Sequence, residues 1–426
     1  MAKINVLDKA VAELIAAGEV VERPASIVKE LLENSIDAGA TSVTVEIKGG
    51  GVQLIRVTDN GGGIERDDLP RAFLRHATSK VRKADDLDSI LTLGFRGEAL
   101  ASIAAMARVE LTTRTPEDDE GTTYQIEGGE FVDTFPAGCP SGTTIIVRDV
   151  FYNTPARMKF LKKDVGEGNA VAQVVDKCAL SHPEVAFRFI RDGQDKLRTS
   201  GNGDLAAVIR AIYGADAASQ LLPVDYLMNG AIRVTGYVCR PQGAKPSRAY
   251  QNFFINGRYV RSRTCMAALE EAFKGKLMGG KHPLCVLNLQ VMAQSVDVNV
   301  HPAKIEVRFA DEKPVFSAVF YAVKSALSTT EIPLTAQQEA PSRRSEVTPL
   351  TIHLPQQEYK QERLTVQEFR QMFDREQTQK AAAEQQQRGS KPSKGFHKPM
   401  ELGASSIDIY VEDEPAKTEP VWQSAP

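Results

Sequence analysis

Apolar residues recur at two different periods along the first 330 positions, and the switching between those periods sets the expected fold. Over 24–38, Val28, Leu31 and Leu32 fall in register with Ser35, a spacing that lines one face of an α-helix. Pro24 in the first turn and Gly39 just past the end bracket that helix in the usual way. Glu30, Glu33, Asn34 and Asp37 fall on the other side. Residues 42–48 and 52–59 instead alternate apolar and polar, as half-buried strands do, and Gly49-Gly50-Gly51 between them predicts an antiparallel hairpin. Further strands are expected at 108–114, 122–134 and 143–150, and helices at 98–107, 155–163 and 166–181.

A second mixed region is expected over 221–330. Its pattern predicts a strand at 230–240, a hairpin around Asn256-Gly257, a helix at 264–277, strands at 283–291 and 295–300, and a closing helix at 313–328. Beyond Thr330 the chain turns rich in glutamine, serine, proline and mixed charge, the composition of a disordered linker over 331–426. Within it Val366, Phe369, Met372 and Phe373 share one helical face and suit docking on a partner; a transient helix is the alternative. The expected organisation is one domain over 1–215, a smaller one over 221–330, then the linker, in an α+β class.

Composition adds limits. A chain of 426 residues with 42% hydrophobic content supports two cores. No apolar run is long enough for a membrane span, and Asp8 and Glu13 interrupt the N-terminal apolar stretch, which argues against a secretory signal. The five cysteines are scattered without CxxC spacing, as suits a reducing cytoplasm rather than a zinc site. Residues 1–330 hold 40 basic and 40 acidic side chains, so nucleic acid would be bound only through local clusters. Two stand out: Arg157, Lys159, Lys162 and Lys163, and then Arg258, Arg261 and Arg263.

Three short stretches carry chemistry together. Glu30 and Asn34 lie one helical turn apart, so a carboxylate that can deprotonate water and a carboxamide oxygen suited to Mg²⁺ reach the same point. Asp59 ends an apolar strand before Asn60-Gly61-Gly62-Gly63, where a carboxylate can accept from the exocyclic amine of adenine and glycines admit the base. Thr143, after Gly142, opens a later strand and can share that contact. Gly94-Phe95-Arg96-Gly97-Glu98-Ala99-Leu100 feeds a helix whose first amides suit phosphate, and Arg75-His76-Ala77-Thr78-Ser79-Lys80 adds donors. Read separately, each stretch is a solvated helix face, a plain turn or a glycine-rich loop; in this order they form one site for Mg-ATP. Gly275 to Lys281 mimics a phosphate loop but lacks the final Ser or Thr, follows a helix and precedes His282-Pro283, so it is set aside. A lysine in His301-Pro302-Ala303-Lys304, on a turn from the second region, can reach a terminal phosphate.

Glu30-x-x-x-Asn34, Asp59-x-Gly61-x-Gly63, the Gly94–Leu100 run and Gly142-Thr143 resemble the four motifs of the GHKL ATPases, a superfamily that includes gyrase B, the ninety-kilodalton heat-shock chaperones and histidine kinases. Within it, the run from Ile15 to Pro24, Arg75–Lys80, Phe151-Tyr152-Asn153-Thr154-Pro155-Ala156-Arg157 and Val298 to Lys304 resemble the MutL mismatch-repair family. The resemblance spans 1–330. It implies a Bergerat-type ATPase sandwich, then a transducer domain with a ribosomal-protein-like fold and a left-handed crossover, an exception to the usual handedness. It implies Glu30 as general base, Asn34 as the Mg²⁺ ligand, and Asp59, Gly61, Gly63 and Thr143 around adenine. Thr78, Ser79, Gly94, Phe95, Arg96, Gly97, Glu98, Ala99 and Leu100 would form the phosphate lid. Lys304 would reach the γ-phosphate, and Lys159, Arg261 and Arg263 would contact DNA backbone, a salt-sensitive and sequence-independent interaction.

The expected function is therefore a cytoplasmic DNA mismatch-repair ATPase with ATP and Mg²⁺ as cofactors. ATP would order the lid and N-terminal arm and pair two copies into a homodimer clamped on DNA, relaying recognition from a MutS-type protein to downstream factors; no membrane is involved. A chaperone-type or topoisomerase-type GHKL ATPase is the alternative. The 426 residues carry no Asp-Gln-His-Ala-type metal motif, so endonuclease activity is not assigned to them.

Overall fold

The computed structural model describes residues 8–80, 97–297 and 307–328. Eight strands form the larger sheet: β1 (Ser42–Lys48), β2 (Leu54–Asp59), β3 (Arg108–Arg114), β4 (Gly121–Glu127), β5 (Glu130–Ala137), β6 (Gly142–Arg148), β7 (Ala186–Arg191) and β8 (Gln194–Arg198). Their spatial order is β5-β4-β3-β6-β2-β1-β7-β8. The β1–β7 pair is parallel, and every other neighbouring pair is antiparallel. The expected hairpin is present, with Val45 opposite Val57 and a tight turn through Gly49–Gly51.

Along β1, Val43, Val45 and Ile47 are buried while their neighbours face outward, the alternation of a sheet with one covered face. The cover is helical. The helix α1 (Lys9–Val20) packs on α4 (Ala99–Met106), and α2 (Pro24–Asp37) packs on α6 (Asp164–Ser181). Ile27, Val28, Leu31 and Leu32 of α2 join Val171 and Val175 of α6 and Ile103 and Met106 of α4 in one core with the strands. Each fully buried aliphatic side chain contributes about 1.5–3 kcal/mol, whereas polar residues such as Asn34 and Ser35 cost under about 0.7 kcal/mol each in helix propensity. The apolar stripe therefore decides the helix. Glu33, expected on the polar face, is buried against α6.

The strand expected over 122–134 is instead two. Gly128 and Gly129 both take positive φ and reverse the chain between β4 and β5. The pairs β7–β8 and the helices α7 (Leu205–Tyr213) and α8 (Ala215–Ser219) had no counterpart in the pattern. On β8, a sheet-edge strand reading Gln-Asp-Lys-Leu-Arg, only Leu197 is buried, so there is little alternation to detect. The helix expected over 155–163 shortens to α5 (Pro155–Met158); α3 (Leu69–Ala72) is likewise a single turn.

The smaller sheet holds β9 (Leu221–Met228), β10 (Ile232–Cys239), β11 (Gln251–Ile255), β12 (Arg258–Val260) and β13 (Cys285–Gln290) in the order β12-β11-β13-β10-β9. The parallel pair β11–β13 is bridged by α9 (Arg263–Ala272), and all five residues of β11 are buried. The closing helix α10 (Glu312–Ser328) packs on α9. The helix expected to 277 ends at Ala272, and the phosphate-loop mimic at 275–281 forms turns that lead back to β13. The two-residue strands β14 (Val296–Asp297) and β15 (Arg308–Phe309) pair with each other.

The sheets meet at the β11–β12 hairpin. Asn252 Nδ2 donates to the Tyr213 hydroxyl at 2.9 Å, Ser181 Oγ donates to the Gly257 carbonyl, and Lys177 Nζ lies 3.7 Å from the centre of the Tyr259 ring. The hairpin thus rests on the C-terminal end of α6, one helix away from α2.

Candidate nucleotide site

The residues expected at adenine converge on the ends of β2 and β6, which pair so that Asp59 faces Thr143. Asp59 Oδ2 accepts from Ser35 Oγ at 2.7 Å; Oδ1 accepts from the Gly61 amide at 2.9 Å and from the Thr143 amide at 3.3 Å. A carboxylate offers about four acceptor directions. Three protein donors among the described residues take up three of them. Gly61 is buried against Ala38, and Gly63 takes φ +73°, with a Cβ there driven into the backbone of Arg114. Only glycine fits that approach. Thr113, which the sequence reading passed over, completes the wall: its hydroxyl accepts from the Ile64 amide at 2.9 Å, donates to the Gly142 carbonyl at 3.0 Å, and lies 3.1 Å from Thr143 Oγ1. The sequence signal is alternation, which puts Thr113 in register with Val109 and Leu111 on the inward face of β3.

The Ser35–Asp59 bond ties this wall to α2. Five residues earlier on that helix, Glu30 Oε1 accepts from Lys29 Nζ at 3.1 Å, and the same ammonium lies 2.7 Å from Glu33 Oε1. Burial works to lower the Lys29 pKa, but Glu33 and then Glu30 outweigh it, and the ammonium is held above its ordinary value. Asn34 Oδ1 accepts from Lys80 Nζ at 3.1 Å, and Lys80 also lies 2.6 Å from Asp37 Oδ2. The carboxamide therefore already turns its oxygen toward a cation, the donor chemistry a hard metal ion requires.

In the segment expected at the phosphates, Gly97 takes φ +61° and abuts the backbone of Ala77, so Ala77 lies against the residue just before α4. His76 Nδ1 lies 3.3 Å from Glu98 Oε1 across that contact. Thr78 and Ser79 are exposed, and Thr78 Oγ1 accepts from the Lys80 amide at 3.1 Å. Ala99 and Leu100 open α4, whose first amides have no partner within the helix. Gly94, Phe95, Arg96 and Lys304 lie outside the described residues, as does the apolar face at 366–373.

The basic clusters come apart. Lys159, Arg261 and Arg263 are exposed. Arg157 instead donates to the Val21 carbonyl at 3.2 Å and crowds Gly18 at the end of α1. Arg258 is buried, where desolvation pushes its guanidinium below the ordinary value while Glu33, Asp37 and Glu30 oppose that shift. Among the described residues no group of three or more His, Cys, Asp or Glu is placed to hold a metal ion, and no helix is long and apolar enough to cross a membrane.

Comparison with known proteins finds two family matches along the chain. The family described as histidine kinase-, DNA gyrase B- and HSP90-like ATPase matches residues 22–131, and that described as DNA mismatch repair protein, C-terminal domain, matches residues 209–328. The DNA mismatch repair protein MutL of Agathobacter rectalis is 48% identical over 332 residues, covering 78% of this chain and 51% of that protein. MutL of Desulforudis audaxviator is 49% identical over 327 residues, covering 77% and 58%. The chain thus spans about half the length of the curated relatives it matches. Among solved structures, the N-terminal domain of a DNA repair protein superposes with TM-score 0.65 at 26% identity, covering 76% of this chain and 99% of that one. The Aquifex aeolicus MutL ATPase domain complexed with ADP gives 0.52 at 28% identity, covering 70% and 98%. With an ATPase-type sandwich first, a mismatch-repair-type domain second, and these relatives along both, the chain belongs to the MutL family of DNA mismatch-repair proteins.

Proposed function

We propose that this chain is a Mg-dependent ATPase acting in DNA mismatch repair, with a nucleotide-binding domain over 1–215, a transducer over 221–330 and a linker beyond. The observation that supports this most is the Ser35–Asp59 hydrogen bond, which brings the α2 turn carrying Glu30 and Asn34 to the strand end suited to adenine. In this reading Asp59 accepts from the adenine amine while Gly61, Gly63 and Thr143 shape the space beside the base. Glu30 orients a water and takes its proton as the γ-phosphate is attacked. Asn34 holds Mg²⁺, which supplies charge neutralisation at the phosphates. Thr78, Ser79 and the 94–100 segment close on the phosphates with the α4 amides, and Lys304 senses the terminal one.

ATP binding then pairs two such domains, and the exposed Lys159, Arg261 and Arg263 contact DNA backbone inside the resulting clamp, so that a MutS-type recognition event is passed on. The test is Mg-ATP turnover at low salt with and without single-stranded DNA, using Arg263→Glu as control. DNA stimulation that the charge reversal abolishes is the expected result. Turnover indifferent to DNA would favour a chaperone-type ATPase instead.

A further inference from the structure

Adjacent helical positions point about 100° apart, so side chains at i and i+1 do not ordinarily meet. Lys29 and Glu30 nevertheless bond at 3.1 Å, because the long lysine stem bends along the helix to a point between Glu30 and Glu33. The ammonium is only partly reachable by water: the side chains of Lys29, Glu30 and Glu33 are 23%, 21% and 11% exposed. From α6 the Cys178 thiol faces Glu33 and Lys29, and from β12 the buried Arg258 faces Glu33, Asp37 and Glu30.

We propose that Lys29 is a positioning residue for the Glu30 carboxylate, aiming it through one charge-assisted hydrogen bond, and that Glu33, faced by Arg258 of the second sheet, shares that ammonium. A charge-assisted hydrogen bond narrows the rotamers open to a carboxylate on a flexible two-carbon stem, and a general base works only at hydrogen-bond reach of its water. The inference rests on the reading of Glu30 as the general base.

The test measures turnover, KM and equilibrium nucleotide affinity for Lys29→Met, Lys29→Arg and Glu33→Gln in the full chain, each also in a Glu30→Gln background. Lys29→Met should lower kcat by roughly ten-fold or more with nucleotide affinity kept within about two-fold, the signature of lost transition-state geometry. Lys29→Arg, which keeps the charge and reach, should recover most of that rate. Glu33→Gln should leave turnover within about three-fold, since the bond to Glu30 survives. In the Glu30→Gln background Lys29→Met should cost nothing further. An equal loss in that background, or a Glu33→Gln defect as deep as that of Lys29→Met, would overturn the proposal and assign Lys29 to helix packing alone. If Lys29→Met fails to fold, Lys29→Gln, a shorter and uncharged polar side chain, takes its place with the same expected loss of kcat and the same comparison in the Glu30→Gln background. Normal turnover by Glu30→Gln itself would sink the general-base reading instead, a separable failure.

Discussion

Lys80 Nζ donates to Asn34 Oδ1 at 3.1 Å, joining the segment that follows α3 to the helix that carries the candidate metal ligand. A cation is thus favoured at that oxygen before any metal arrives. Asn34→Ala should therefore remove the gain in nucleotide affinity that Mg²⁺ confers, leaving metal-free binding nearly unchanged. Calorimetric titration with and without Mg²⁺ checks this; a full Mg²⁺ effect in the variant would exclude Asn34 as the ligand.

Asp59 collects a hydroxyl and two backbone amides on its two oxygens. Replacing one oxygen with an NH₂ group in Asp59→Asn sets a donor against donors and removes the charge. A loss of about 1–3 kcal/mol is expected for each polar group left unmatched. Nucleotide affinity should fall at least about ten-fold, with the far-ultraviolet circular dichroism retained.

Arg157 holds the end of α1 through the Val21 carbonyl, whereas Lys159 points outward. Arg157→Ala should increase amide exchange over α1 while DNA affinity changes little, and Lys159→Ala should do the reverse. Comparing exchange with salt-dependent DNA titrations separates the two.

Burial pushes the Asp176 carboxyl from 3.8 up to about 6, and neighbouring Lys177 only partly opposes it. The folded state therefore binds this proton more tightly than the unfolded chain. Stability should fall as pH rises from about 4 to 6 and stay reduced above that window. Asp176→Asn removes the cost, so it should stabilise the protein by roughly 1–3 kcal/mol at pH 7.5 and hardly at all at pH 4. Urea denaturation at both values tests the sign.

The periodicity of the chain determined α2, the β1–β2 hairpin, β3, β6 and α10 almost to the residue, because each buries one regular face and local spacing records which face that is. Spacing along α2 also sufficed to put Glu30 and Asn34 one turn apart, and glycine at 61, 63 and 97 marked backbone approaches that no other residue allows. Edge strands such as β8 escaped notice, since a strand with one buried side chain carries hardly any period.

What local order could not determine was which polar groups share a partner across the fold. Ser35 sits in the apolar stripe and reads as a small core residue until β2 brings Asp59 to 2.7 Å. Arg258 reads as one of three basic neighbours until the hairpin turns it inward toward the carboxylates of α2, leaving Arg261 and Arg263 in solvent. Charge and hydrogen bonding act through space over a few ångströms, between residues that here lie 24 to 228 positions apart in the chain, about which neighbouring sequence carries no information. Hydrophobic periodicity fixed the elements; tertiary contact alone decided which of their polar side chains make a site.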